Sequence, residues 1–202
     1  MWTFYSASGE AMIIDGGLSN VVEDTTPQLG GNLDMVANLL VGNGGSTGIA
    51  ISANGEVNMA AQPGVLAYNS ATDSNVTGNN TAATVDFNTE VFDQNGDFAS
   101  DTFTAPINGK YLITANIWAS GITSSATRIG LRVVTSNVTY DDISGVEEAD
   151  GGALVKARAI IAEMEASDTA SIVLYANGEG SDVIDIIGDG TRATHMSVWL
   201  LG

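Results

Sequence analysis

Apolar and polar residues alternate with a period of two along much of this chain. Val85, Phe87, Thr89 and Val91 are interleaved with Asp86, Asn88 and Glu90. That pattern predicts a half-buried strand, because successive strand side chains point to opposite faces. Tyr111–Trp118 is more continuously apolar and predicts a more deeply buried strand. Ile129, Leu131 and Val133 alternate with Arg128, Gly130 and Arg132, and Val155–Ile161 alternates again with Lys156 and Arg158 on one face. Ser171–Tyr175 and Met196–Leu200 supply two further strands. Residues 153–165 alone have a helical alternative, and their period-2 basic residues and β-branched content favour a strand. Gly, Asn and Asp clusters separate the runs, as at Asp93–Asp97 and Asn177–Gly180. Pro27, Pro63 and Pro106 fall at joints, where a missing N–H costs no ladder bond. Six or more strands with turn signals between them predict an all-β antiparallel sandwich or jelly roll.

Upstream the texture differs. Residues 32–62 are rich in Gly and Asn, with Ile49, Ile51 and Ala53 alternating before Asn54-Gly55, and Val57 and Met59 after it. Asn-Gly tolerates positive φ and predicts a type I′ two-residue hairpin. So short a hairpin is marginal in water, so it should lean on other copies of the chain or on a larger partner. The expected organisation is an N-terminal attachment segment at 1–31, a β connector at 32–62 and a head domain at 63–202.

Composition narrows the functions. The 202 residues hold 24 Asp plus Glu against 6 Lys plus Arg, a formal net charge of −18. Such a chain repels phosphate backbones, which excludes a nucleic-acid binder. There is no Cys and one His, so a zinc cluster, a disulfide framework and a cysteine nucleophile are all excluded. With 44% hydrophobic residues and a mean hydropathy of +0.15, the chain has enough apolar side chains for a core. No run approaches the ~18 apolar residues of a membrane span, and the first residues lack a basic n-region. The expectation is synthesis in the cytoplasm, without a signal peptide and without membrane insertion.

Two stretches resemble known families. Phe92-Asp93-Gln94-Asn95-Gly96-Asp97-Phe98, followed by Asp101-Thr102-Phe103-Thr104-Ala105-Pro106-Ile107-Asn108-Gly109-Lys110-Tyr111-Leu112-Ile113, resembles the central signature of the globular heads of complement component one q. Ser197-Val198-Trp199-Leu200-Leu201-Gly202 is similar to that family's last strand, and Ala67-Tyr68 would lie on its first. The resemblance spans about residues 64–202. It implies a jelly-roll protomer of the tumour necrosis factor type that assembles as a homotrimer and binds rather than catalyses. This chain has no collagen-like stalk, so immune or cytokine receptor specificity is not carried over. Val22-Glu23-Asp24-Thr25-Thr26-Pro27-Gln28-Leu29-Gly30-Gly31-Asn32-Leu33-Asp34 and Gly48–Val57 resemble segments recurrent in bacteriophage tail-fibre and related virion proteins. Together they imply a virion appendage, on tail or capsid, whose partners are other phage proteins and a host receptor or glycan.

Candidate residues follow. Trp2, Phe4, Tyr5, Met12, Ile13 and Ile14 form an aromatic and apolar terminus, expected to dock on the virion, with an extra edge strand of the head as the alternative. Asp93, Asn95 and Asp97 match the first half of a calcium loop, but Phe98 stands where an EF-hand needs Gly and Thr104 where it needs Glu. A turn is favoured over calcium there; the resemblance keeps an ion of another geometry open. Arg128, Arg132, Lys156 and Arg158 fall in predicted strands and are expected to pair with carboxylates between protomers. His195 has no nucleophile motif beside it and is expected to be structural. A carboxylate pair for glycoside cleavage would want a long groove that a head of about 140 residues lacks, so no enzymatic activity is expected.

Overall fold

The structure, a computed structural model, describes residues 3–5, 11–13, 40–41, 48–52, 54–145 and 152–202. Every regular element among them is a strand. The chain divides into two units, Met1–Leu39 and Leu40–Gly202. In the first, β1 (Thr3–Tyr5) and β2 (Ala11–Ile13) pair antiparallel as a two-stranded sheet, with Phe4 opposite Met12.

The second unit opens with a small antiparallel sheet of β3 (Leu40–Val41), β4 (Gly48–Ile51) and β5 (Val57–Met59). The hairpin lies where the alternation predicts it, but its turn is wider than a type I′ pair. The Ser52 N–H donates to the Glu56 carbonyl at 2.9 Å, so these two residues flank the turn. The Ser52 hydroxyl accepts from the Asn54 and Glu56 amides, and Gly55 takes φ +92°. Three-residue hairpin loops place a glycine in just this left-handed region.

The remainder is two packed antiparallel sheets. Their strands are β6 (Gly64–Tyr68), β7 (Asp73–Thr77), β8 (Ala82–Thr84) and β9 (Thr89–Asp93). Then come β10 (Phe98–Ala99), β11 (Thr102–Thr104), β12 (Gly109–Ser120), β13 (Arg128–Thr135) and β14 (Thr139–Ser144). β15 (Leu154–Met164), β16 (Thr169–Asn177), β17 (Ile184–Ile186) and β18 (His195–Leu200) complete them. The larger sheet runs β15–β12–β18–β6–β9, and β17 with β7 continues it beside the end of β12. The smaller runs β14–β13–β16, with β8 and the β10–β11 pair along the other side of β16.

Between the sheets lies one core. Ile113, Ile117 and Val198 of the larger sheet belong to the same fully buried cluster as Leu131, Ile172 and Leu174 of the smaller. Phe103 packs on Tyr111 with ring centroids 5.4 Å apart, and the buried Tyr111 hydroxyl donates to the Ile107 carbonyl at 2.7 Å. Residues 153–165 are strand, not helix.

Two expectations change. Residues 85–91 are not one strand. Val85 and Phe87 are buried as the alternation requires, but residues 85–88 cross from β8, in the smaller sheet, to β9, in the larger. The Val85 amide bonds the Ile172 carbonyl at 2.9 Å and the Phe87 amide bonds the Asp101 carboxylate at 2.7 Å, so the crossover stays paired without a ladder. Tyr111–Trp118 is also less continuously buried than its composition predicts. Leu112, Thr114, Asn116 and Trp118 alternate with buried Tyr111, Ile113, Ala115 and Ile117, and face away from the core. Pro63 and Pro106 lie between strands, and Pro27 lies outside the described residues.

Candidate functional site

The face of the larger sheet turned away from the core is the least ordinary surface of the molecule. It follows from the register of β15, which pairs with β12 alone among the described strands. Alternation sends Lys156, Arg158, Ile160 and Ala162 toward the other sheet, opposite Ile117, Ala115, Ile113 and Tyr111. Val155, Ala157, Ala159 and Ile161 are therefore left exposed, with Val155 at 57% and Ile161 at 59%. A one-residue slip would exchange the two sets. The register is held by Ala162 and Met164, both buried at the far end of the strand.

Beside these residues lie Trp118, Asn116, Thr114 and Leu112 of β12, then His195, Ser197 and Trp199 of β18. The polar members of this face are already partnered. Thr114 Oγ1 and Ser197 Oγ share a hydrogen bond at 2.8 Å, Asn116 Nδ2 donates to the Ala193 carbonyl at 2.6 Å, and His195 Nδ1 lies 2.8 Å from the Arg192 carbonyl. Trp199 leans on Phe92 with centroids 5.4 Å apart. Formal charge returns at the borders, where Lys110 and Glu163 stand opposite each other and the Arg192 guanidinium lies 5.3 Å from the ring centroid of Tyr68, the partner of His195. Covering a face whose polar groups are satisfied from within costs little desolvation. Its chemistry is that of a contact surface for protein.

The expected site residues are scattered. Phe4 and Tyr5 lie on β1 and Met12 and Ile13 on β2, while Trp2 and Ile14 lie outside the described residues. β1 pairs with β2. Asp93, Asn95 and Asp97 do come together, in a turn closed by its first residue. Asp93 Oδ1 accepts from the Gly96 and Asp97 amides at 3.0 Å and Oδ2 from Phe98 at 2.9 Å, while Asn95 Nδ2 donates to the Ala61 carbonyl at 3.0 Å. Burial pushes the Asp97 carboxyl above its ordinary range, against a hydrogen bond from Asn95.

The four basic residues separate into two pairs. Arg132 has its partner within its own chain: Asp141 stands opposite it across the β13–β14 ladder, and Nε reaches the carboxylate at 2.9 Å. Its guanidinium and that of Arg128 flank the Tyr175 ring, 4.7 and 5.9 Å from the centroid. Within the chain Arg132 thus has a cross-strand pair, because adjacent strands bring opposite charges side by side; the expected pairing between protomers is a property of the assembly, which a single chain does not test. Lys156 donates to the Ser144 hydroxyl, and the Arg158 Nε is buried without a hydrogen-bond partner among the described residues.

Two features escape the sequence pattern. One is the orientation of β15, because basic residues alternating with apolar ones ordinarily mean cations outward. The other is a carboxylate group at the crossover. Burial first, then the charges of Asp101 and Asp73, push the Asp86 carboxyl up, and burial also raises Asp73. Asp101 sits at φ +62° with its carboxylate on the Phe87 amide, a long-range placement with no local motif.

Comparison with solved structures settles the architecture. The globular domain of zebrafish complement 1qA superposes with a TM-score of 0.51 at 16% identity, covering 70% of this chain and 98% of that one. The fold is that jelly roll. Murine APRIL, at pH 8.0, gives 0.50 at 10% identity over 69% of this chain and 99% of its own. The strands of the head thus have the arrangement of complement one q and tumour necrosis factor heads. No family model matches the chain, and no curated protein matches it.

Proposed function

We propose that this chain is a structural surface appendage of a bacteriophage particle: a homotrimer attached through its N-terminal segment and displaying the jelly-roll head for attachment to the host surface. It binds a receptor or glycan and performs no catalysis. The observation that carries the assembly is the outward face of β15 and β12. A chain with a net charge of −18 keeps a wide, uncharged and internally satisfied face, and like-charged copies can approach only through such a patch. The occupant is a second copy of the chain, and a closed threefold arrangement lets every copy cover its neighbour. The virion assignment is supported by the segments at 22–34 and 48–57, with their likeness to tail-fibre sequences, and by the aromatic residues Trp2, Phe4 and Tyr5 at the terminus that would dock.

A capsid decoration or head-fibre role is the second reading. It is favoured by the brevity of the connector, which among the described residues offers β3–β5 before β6 begins at Gly64. Quantitative mass spectrometry of purified particles separates the two. Roughly 3 to 18 copies, small multiples of a threefold unit, place the protein on the tail; tens to hundreds place it on the capsid. Its absence from particles overturns both.

A further inference from the structure

The connector sheet carries a second uncovered apolar face, with a different origin from that of the head. Ile49 stands opposite Met59 and Ile51 opposite Val57, so two cross-strand pairs share one side of β4 and β5. All four are exposed, at 40, 41, 56 and 62% for Ile49, Met59, Ile51 and Val57. Ala50 and Asn58, also paired, occupy the other side. Nothing in the hairpin's own turn requires large apolar residues there, because the Ser52 hydroxyl and Gly55 already fix it.

We infer that this face is a self-association surface, covered by the same face of the other copies in the homotrimer. The inference rests on the trimer proposed above and adds a contact beyond the jelly roll. Three observations choose a second copy as the occupant. Residues 40–63 contain one charged side chain, Glu56, whose carboxylate accepts a hydrogen bond from Ser52 at the turn. In a protein of net charge −18 this is a segment that like-charged copies can bring together.

The sheet is also tied to the head. Asn95 Nδ2 donates to the Ala61 carbonyl at 3.0 Å and Gln62 Nε2 to the Leu200 carbonyl at 2.8 Å. An open groove lined by Val57, Asn58, Met59, Gln62, Gln94 and Trp199, with Glu56 at its turn end, joins it to the face of the larger sheet. A partner copy seated on that face therefore has its own connector beside this one.

The area points the same way. The four side chains leave on the order of 400 Å² uncovered per copy, about half of the ~800 Å² per partner in a stable interface. The connector is too small to hold copies together alone and large enough to matter once the head has brought them together.

The test uses the full chain. Wild type, the double variant Ile51→Asp/Val57→Asp and the control Ala50→Asp are diluted stepwise and weighed by mass photometry. Wild type is expected at three times 20.7 kDa. The double variant, with unpaired charges forced into the interface, is expected to half-dissociate at a concentration about tenfold or more higher. Ala50→Asp, on the other side of the sheet and outside the groove, is expected to dissociate as wild type does. If wild type is trimeric and the double variant dissociates at the same concentration, the connector inference is wrong and the head trimer stands. If Ala50→Asp is weakened equally, charge rather than the apolar face is responsible, and the inference again fails. A monomeric wild type overturns the trimer itself.

Discussion

Ile161→Ala separates assembly from folding. Ile161 is 59% exposed in the protomer, so its truncation removes little that the isolated head buries, and folding stability should change by no more than about 0.5 kcal/mol. In the proposed trimer the same side chain would be covered. On the order of 100 Å² remains to be buried, and at about 25 cal/mol/Å² that burial is worth ~2.5 kcal/mol, of which alanine forfeits about half. Three copies lose it together, giving about 4 kcal/mol per trimer, or roughly a thousandfold in the dissociation constant. Because that constant goes as the square of concentration, the half-dissociation point should move up by about 30-fold. Sedimentation equilibrium across a dilution series reads the shift, and a urea melt monitored by tryptophan fluorescence reads the fold. An unchanged midpoint with an unchanged melt would refute the assignment of this face. A loss of melt stability that persists at dilutions where both proteins are monomeric would show instead that Ile161 is buried within its own protomer.

Three further outcomes follow from the geometry. Gly130→Ala places a Cβ 2.9 Å from both the Asp142 carbonyl and Ile143 Cγ1, and should cost about 1–3 kcal/mol by prising β14 from β13, read as a lowered urea midpoint. Asp93→Ala removes the acceptor of three backbone amides and should cost about 2 kcal/mol; wild-type Tm is expected to be the same in chelator and in millimolar calcium, and a calcium-dependent rise would return Asp93, Asn95 and Asp97 to the role of ligands. Tm should also rise on acidification as pH approaches the ordinary carboxylate range, about 4, from above. Asp73, Asp86 and Asp97 titrate above their ordinary range in the fold, so the native state binds protons first and stability falls as pH rises through that window. Asp168, held low by its hydrogen bond with the Glu165 backbone and then by Ser136, works the other way, and its contribution is lost only at more acid pH, below about 4. A melt that falls steadily from pH 7 would contradict this balance.

The strand periods of the head were legible because alternation is local. Ile129, Leu131 and Val133 are buried as their spacing predicts, and β15 is a strand as its β-branched residues predict. What alternation cannot convey is which face the rest of the fold covers. In β15 the cations turn inward because Ala162 and Met164 fix the register from the far end, a non-local fact. The break in residues 85–91 has the same origin: Val85 and Phe87 share one periodicity while the partners of the flanking strands lie in different sheets. The pairing of Arg132 with Asp141 depends on the turn between β13 and β14, and the meeting of Asp86 with Asp101 on the path of β10. The Asp93 turn was legible because its partners lie within five residues.

The most direct measurement of the central claim is a cryo-electron microscopy reconstruction of the purified phage particle at side-chain resolution. The account predicts three copies of the jelly roll about a threefold axis on the particle surface. Val155, Ile161 and Trp118 of each copy should lie covered by a neighbour, with the N-terminal segments running into the particle. Heads standing singly, or a trimer that turns this face to solvent, would contradict it.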